Sequence, residues 1–452
     1  MSHDKILQTI EQQLIDRQLS FCERYIFEKS WQGEQYSNIA RQSGYDKNYI
    51  KQVGAKLWSE LSLATGKNIT KKNLRIVFDP DEIQIPEPKK AVVSNLQLPQ
   101  TNFVNVSSSE ISFPSSPVAP SSPLYIKRPP NEDIAFAEIE RPGCLLRIKG
   151  ARKIGKSSLL NQILAHGSAK NYAIATIDLQ EVESAIFTNI DKFLQWFCAS
   201  ISQRLGLTPQ LEQYWEFGIG SKVSCRIYLE NYLFEQIDRP FILAINELNR
   251  LFKYPQLTRD FLSMLRFWHE QSKGNASWQN LRLILVHSTD IYVSLNLNQS
   301  PFNVGLSLQL PLFGLQQTAE LARRYGLNLE KDSDERELLT TLYKILNGHP
   351  FLTSLAFYHL QKATISLSKL IETASTPEGI FHNHLLSLLI TLKSDPKLAK
   401  TFKNVVTANC GIFIEAIAAH KLESMGLVEY ENGLVKPICN LYRLYFQKQL
   451  ID

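Results

Sequence analysis

Residues 150–157 read Gly-Ala-Arg-Lys-Ile-Gly-Lys-Ser, and few short patterns restrict a fold so tightly. Gly150 and Gly155 free the backbone to turn its N–H groups toward one centre, and a helix starting just after them adds its positive end. The pattern Gly-x-x-x-x-Gly-Lys-Ser is thus a phosphate cradle. Lys156 reaches the β- and γ-phosphates, the Ser157 hydroxyl ligates Mg²⁺, and Ser158 sits beside them at the helix start. The setting agrees, because Leu145–Lys149 reads as a short buried strand ahead of the loop and a helix follows from Ser157. The implied ligand is a nucleoside di- or triphosphate.

A cradle of this kind needs a parallel sheet around it, and the downstream pattern supplies one. Apolar runs at Tyr172–Asp178, Pro240–Asn246, Leu281–His287 and Ser307–Pro311 alternate with helical stretches such as Phe193–Leu205. Continuous apolar strands separated by helices predict strands covered on both faces. The third of the five strands should end in a carboxylate that holds Mg²⁺, followed by a catalytic Glu. It ends instead in Asn246-Glu247. Asn246 offers only an amide oxygen to the metal, whereas Glu247 remains available to polarise water, so an ATPase is implied in which hydrolysis is the doubtful step. The alternative is that Asp178, ending the second strand, compensates. The fourth strand ends in His287, Ser288 and Thr289, placed to sense a γ-phosphate; an ordinary strand-end turn explains the same residues.

The chain has 452 residues, enough for two to four domains. Ten of its twenty prolines lie between Pro80 and Pro130, among serines and few large apolar residues. Such a stretch does not repay the entropy of packing and reads as a flexible linker over 79–123. Ahead of it, 1–78 is helical, with Ile6, Ile10 and Leu14 at helical spacing. Ile39 and Ala40, a turn at Gly44, then Tyr49 and Ile50 give the helix-turn-helix pattern. From Arg41 to Arg75 eight basic residues face two acidic ones, against a net charge of +5 for the whole chain. The module is read either as a DNA-binding surface or as a docking site for a protein.

Six cysteines without a Cys-x-x-Cys pair fit reduced thiols and neither zinc nor disulfides. No apolar run is long enough to cross a membrane, and the first residues lack a signal-peptide core. The expectation is a soluble, cytoplasmic protein with no membrane partner.

The phosphate loop, Arg128-Pro-Pro130, Asp191–Ser200, Val286–Asp290, Asn298–Gly305 and Gly348-His-Pro350 together resemble the bacterial AAA-like domain of STAND-type ATPases. The first seventy-odd residues resemble the helix-turn-helix at the N-terminus of vWA-MoxR-associated proteins. The resemblance implies a switch that holds ADP at rest and exchanges it for ATP. It places Pro350 against the adenine, with Tyr125 and Arg128 near the base from the other side. It also implies an α/β P-loop NTPase core over 124–314, a helical lid over 315–402 and a winged-helix-like unit over 403–452. Three departures stand out: the missing Asp at 246, no Met-His-Asp-like triplet in the last unit, and no repeat array up to Asp452.

These readings converge on a nucleotide-dependent switch, in signalling or regulation, whose helix-turn-helix or winged helix meets a protein partner or DNA. Nucleotide-dependent oligomerisation is compatible with it. The rivals are a non-hydrolysing scaffold stabilised by nucleotide and a DNA-binding regulator tuned by it.

Overall fold

The computed structural model describes residues 19, 21–43, 47–65, 67, 69–71, 73–77, 111–216, 218–288, 301–327, 329 and 333–450. The chain forms two compact units, Met1–Asn102 and Phe103–Asp452. The expected turn at Gly44, the Ile6–Leu14 pattern, the linker over 79–110 and Thr289 lie outside the described residues.

In the first unit, helices α1 (Phe21–Trp31), α2 (Tyr36–Ser43), α3 (Lys47–Thr65) and α4 (Leu74–Val77) enclose a core of Ile26, Phe27, Ile39, Ile50, Leu57, Trp58 and Leu61. Ile39 and Ala40 of α2 and Ile50 of α3 are buried, as their spacing requires. The α2–α3 contact is fixed by Tyr36, whose hydroxyl accepts from Trp58 Nε1 at 2.7 Å. Gly54 makes room for it, since a Cβ there would come within 2.6 Å of that hydroxyl. Arg41, Lys51, Lys56 and Lys67 are exposed.

The second unit is built on a five-stranded, fully parallel sheet of β1 (Leu145–Lys149), β2 (Ala173–Asp178), β3 (Phe241–Asn246), β4 (Leu281–His287) and β5 (Leu306–Gln309), in the order β2-β3-β4-β1-β5. Alternate residues feed two cores. Leu146, Ile148, Ile242, Ala244, Ile284 and Val286 pack with α5 (Asn131–Glu140) and α6 (Lys156–Ala169). Leu145, Leu243, Ile245, Leu283 and Leu285 pack with α7 (Ile190–Arg204), α8 (Ser221–Tyr228) and α9 (Pro255–Gln271) on the opposite face. Both faces are therefore covered, which is why the strands read as unbroken apolar runs.

After the sheet come α10 (Leu315–Arg324), α11 (Ser333–Leu346), α12 (Pro350–Gln361), α13 (Leu367–Thr373), α14 (His382–Lys393) and α15 (Pro396–Thr407). Helix α16 (Ala416–Ser424), the antiparallel hairpin β6 (Val428–Glu431) and β7 (Leu434–Pro437), and α17 (Asn440–Gln449) complete the unit. The hairpin turns on Asn432 and Gly433, at φ 52° and 80°, the two left-handed residues a tight two-residue turn requires. One hydrophobic core, including Leu346, Leu352, Phe381, Phe402, Leu422 and Phe446, runs through all these helices and the hairpin. The boundary expected at 402/403 thus falls inside continuous packing.

Residues 111–123 differ from a free linker. Ile111 is buried, Val118 N–H donates to Ser158 Oγ at 3.0 Å, and Asn161 and Gln162 of α6 donate to the carbonyls of Val118 and Pro120. Short Pro-Ser segments can dock through backbone groups as well as side chains, a mode their composition does not announce. Of the described cysteines, Cys144, Cys198, Cys225 and Cys439 are buried and Cys410 is exposed, all as free thiols. Among the described residues no helix is long and apolar enough to cross a membrane.

Candidate functional site

The loop between β1 and α6 turns on Gly150 (φ 151°), Lys153 (φ 63°) and Gly155 (φ 97°). The last of these caps α6 in a left-handed conformation, and a Cβ there would lie 2.9 Å from the Arg128 guanidinium. Glycine at 155 therefore serves backbone shape and close approach together. Lys156 folds back onto the loop, donating to the carbonyls of Gly150 at 2.9 Å and Ala151 at 2.7 Å. Burial lowers its pKa to about 8, with Glu247 pulling the other way and Arg152 adding to the lowering. An ammonium buried in this way, with only carbonyl oxygens as partners, is poised to take an anion.

A cavity of about 630 Å³ opens on this loop. Gly155, Lys156, Ser157, Ser158, Tyr125, Arg128, Glu247 and Pro350 all line it. Gly150 lies instead on a second cavity of about 410 Å³, with Ala151, Ser288, His420 and Glu423. One wall of the larger cavity is the segment Phe113-Pro-Ser-Ser-Pro-Val118. Phe113 meets Tyr358 edge-to-face, with ring centroids 5.3 Å apart.

The two residues expected near a base both line this cavity, and each is also held by a polar contact of its own. Tyr125 donates its hydroxyl to Glu132 at 2.8 Å, and burial pushes its pKa well up. Arg128 is 2% exposed and donates to the carbonyl of Ile154 at 2.7 Å, so it braces the phosphate loop from behind. Burial lowers its pKa, against the pull of Tyr125 and Glu132.

Pro350 opens α12 and is buried. The turn before it is locked, because Phe313 N–H donates to the Gly348 carbonyl at 2.9 Å and a Cβ on Gly348 would collide with the Phe313 carbonyl. Phe351, next in line, takes the Lys153 ammonium over its ring at 3.8 Å. Phe351 also lies 5.4 Å from the His384 ring, and His384 Nε2 is 2.7 Å from the Tyr442 hydroxyl on α17. A chain of contacts therefore runs from the phosphate loop through α12 and α14 to the last helix. Sequence reading missed it; only Phe351, directly after the Gly-His-Pro turn, hinted at it.

On the β3 side, Asn246 stands in register with Asp178. Asn246 Nδ2 donates to Asp178 Oδ2 at 2.7 Å, while Asn246 Oδ1 is buried with no hydrogen-bond partner among the described residues. Glu247 adopts a left-handed backbone, φ 54°, a conformation that costs a non-glycine residue about 1–3 kcal/mol. Its carboxylate accepts from Asn249 Nδ2 at 3.2 Å, and Asn249 Oδ1 accepts from Ser288 N–H at 3.1 Å. Asn249 thus joins the Glu to the end of β4, a role nothing in its sequence position signals. His287 is fully buried, paired with Lys149 across β4 and β1 and packed on Phe302. His287 and Ser288 line no part of the larger cavity, although Ser288 reaches the smaller one. Among the described residues no group of three His, Cys, Asp or Glu is arranged to hold a metal by itself.

Residues 113–448 match the family model of the AAA-like domain, and residues 1–80 match that of the vWA-MoxR associated protein N-terminal HTH. The uncharacterized WD repeat-containing protein slr0143 of Synechocystis sp. is 25% identical over 247 residues, which is 52% of this chain but only 20% of that protein's length. Among solved structures, the Walker-type ATPase PABY2304 of Pyrococcus abyssi is 14% identical with a TM-score of 0.50, over 72% of this chain and 96% of that one. The Aeropyrum pernix ORC2 protein, solved as ADPNP-ADP complexes, is 14% identical with a TM-score of 0.40, over 74% of this chain and 96% of that one. With its phosphate loop, parallel sheet and matched span taken together, this chain belongs to the AAA-like domain family of P-loop ATPases and carries an N-terminal helix-turn-helix domain.

Proposed function

We propose that this chain is a STAND-like molecular switch that binds ATP or ADP with Mg²⁺ and alters the seating of its C-terminal helices according to which nucleotide is bound. One observation carries the reading. The cavity holding Lys156 is closed on one side by the phosphate loop and on another by Pro350, Phe351 and Ser354 of α12, so an occupant touches the α/β core and the helical region together. A ligand shifts an equilibrium only through contacts that differ between two states, and a site spanning two elements is where such differences arise. In this reading 315–402 act as the lid and 403–452 as a winged-helix-like unit.

The backbone N–H groups of the loop hold the phosphates, Lys156 neutralises them, and Glu247 orients an attacking water and accepts its proton. The residues present fit magnesium: Ser157 lines the cavity, and the buried Asn246 Oδ1 is an acceptor awaiting a donor. The metal, when bound, neutralises phosphate charge. The test is nucleotide content and turnover of the purified chain beside Lys156→Ala. Binding that falls by about 10–100-fold in the variant supports the reading, as expected for loss of a buried charge-assisted contact. Binding that is equal in both, or absent in both, overturns it.

Two further readings each rest on one observation. Asn246 in place of a carboxylate favours a scaffold that binds nucleotide without turning it over, and tight binding with no hydrolysis selects it. The exposed basic residues Arg41, Lys51, Lys56 and Lys67 of the helix-turn-helix favour DNA over protein as its partner. Duplex binding that weakens steeply with salt selects DNA, and failure to bind at low salt selects a protein partner.

A further inference from the structure

The structure assigns the negative charge of the metal site to Asp178 on β2, one strand outward from its usual place, with the neutral Asn246 hydrogen-bonded to it. This rests on the nucleotide-and-magnesium reading above and deepens it.

Strands β2 and β3 run parallel with Asp178 directly across from Asn246. The 2.7 Å bond from Asn246 Nδ2 to Asp178 Oδ2 fixes the amide, because the flipped amide would set its oxygen against a carboxylate oxygen. The other carboxylate oxygen, Oδ1, accepts from Gln180 N–H at 2.8 Å, so the Asp178 side chain is itself held from two directions. What remains is Asn246 Oδ1, buried and without a protein donor. An amide that donates to a carboxylate has its oxygen polarised toward stronger acceptance. Such an oxygen suits a metal-bound water. Gln180, two residues after Asp178, and Glu247, directly after Asn246, line the cavity together with Ser157 and Lys156, while Asp178 and Asn246 are not themselves part of that lining. The pair has the formal charge of the single Asp it replaces, displaced by about 4.8 Å, the spacing of neighbouring strands.

This arrangement changes what counts as a repair. Asn246→Asp alone puts two carboxylates into the contact now made by a hydrogen bond, and like charges at that distance repel. The combined exchange Asp178→Asn with Asn246→Asp keeps both the charge and the hydrogen bond while moving the carboxylate inward.

The test uses the full chain and ADP as probe, comparing ADP affinity with Mg²⁺ against affinity in EDTA; the ratio is the magnesium increment. Asp178→Asn is expected to cut that increment by about tenfold or more, the scale of a lost hydrogen bond to a charged group, without weakening affinity in EDTA. Asn246→Asp alone falls below the native increment, and the combined exchange regains it. The Mn²⁺·ADP spectrum, read by electron paramagnetic resonance, follows the same order. A native increment retained in Asp178→Asn overturns the assignment, as does Asn246→Asp alone matching the exchange. Should Asp178→Asn fail to fold, the comparison of Asn246→Asp with the exchange decides by itself. Absence of any magnesium increment in the native chain overturns the metal assignment and leaves nucleotide binding standing. Absence of ADP binding in both conditions overturns both.

Discussion

Acidification should loosen the C-terminal helices in a way set by two buried histidines. His349 is 2% exposed at the N-cap of α12, where Nδ1 faces the Leu352 N–H, and burial lowers its pKa to about 4. His384 on α14 is brought down to about 3 by burial, by His349 and by Lys153. Around them lie the His349 ring 6.2 Å from His384, the Phe351 ring, the Tyr442 hydroxyl and the Lys153 ammonium. Both folded-state values lie below the ordinary histidine value near 6.5. As pH falls through 6.5 the unfolded chain therefore takes up protons that the folded chain refuses, and stability falls with it. The loss starts near pH 6.5 and saturates only when each folded-state value is passed. At pH 5 each imidazole has given up about 2 kcal/mol, so the pair costs about 4 kcal/mol. Urea unfolding followed from pH 7.5 to 5 measures this, with His349→Asn/His384→Gln as reference; Asn keeps an N-cap acceptor and Gln keeps a partner for Tyr442. Because ordinary carboxylates titrate mainly below this window, the native chain should lose markedly more stability than the variant. Equal losses in the two proteins would refute the reasoning.

Three other outcomes follow from contacts already described. Gly155→Ala should destabilise by about 1–2 kcal/mol for its left-handed backbone alone, and more for the clash with Arg128, read as a lowered thermal midpoint and weakened nucleotide binding. Tyr36→Phe removes the acceptor of Trp58 Nε1, and tryptophan-fluorescence melts of the helix-turn-helix unit should show a loss of about 1–3 kcal/mol; an unchanged melt would mean the indole finds another partner. A double-mutant cycle on Lys153→Met and Phe351→Leu should return a coupling of about 0.5–2 kcal/mol, and additive effects would dismiss the cation–π contact.

Much of this molecule was legible before its coordinates. The eight residues of the phosphate loop and the five apolar runs dictated a covered parallel sheet, because strands buried on both faces have no polar side to show. That Asp178 compensates for Asn246 is an alternative the sequence itself offers, since each ends a strand of the same sheet. Other features had no such voice. Arg128 lines the larger cavity, and the bond from its guanidinium to a loop carbonyl joins residues far apart in sequence. Asn249 joins Glu247 to Ser288 through an amide that looks like any loop asparagine. Segment 111–118 carries linker composition, and what seats it is a backbone N–H on a serine hydroxyl, which leaves no mark on composition or periodicity. Gly54 leaves no sign in the sequence that its missing Cβ is the space into which Tyr36 fits.

That same segment bears on time as well as on shape. Phe113–Val118 walls the larger cavity, but no strand ladder holds it. Its anchors include the Val118 bonds to Ser158 and Asn161 and the Phe113 edge on Tyr358. Detaching such a wall costs far less than unfolding the sheet behind it, so it opens as a local event on its own clock. The residence time of a bound nucleotide would then be set by how often six residues peel away, and not by motion of the α/β body. Amide hydrogen exchange at Val118 reports that frequency, and Ser158→Ala should quicken exchange and nucleotide release together while the exchange of Leu283 and Ile245 in the sheet stays slow.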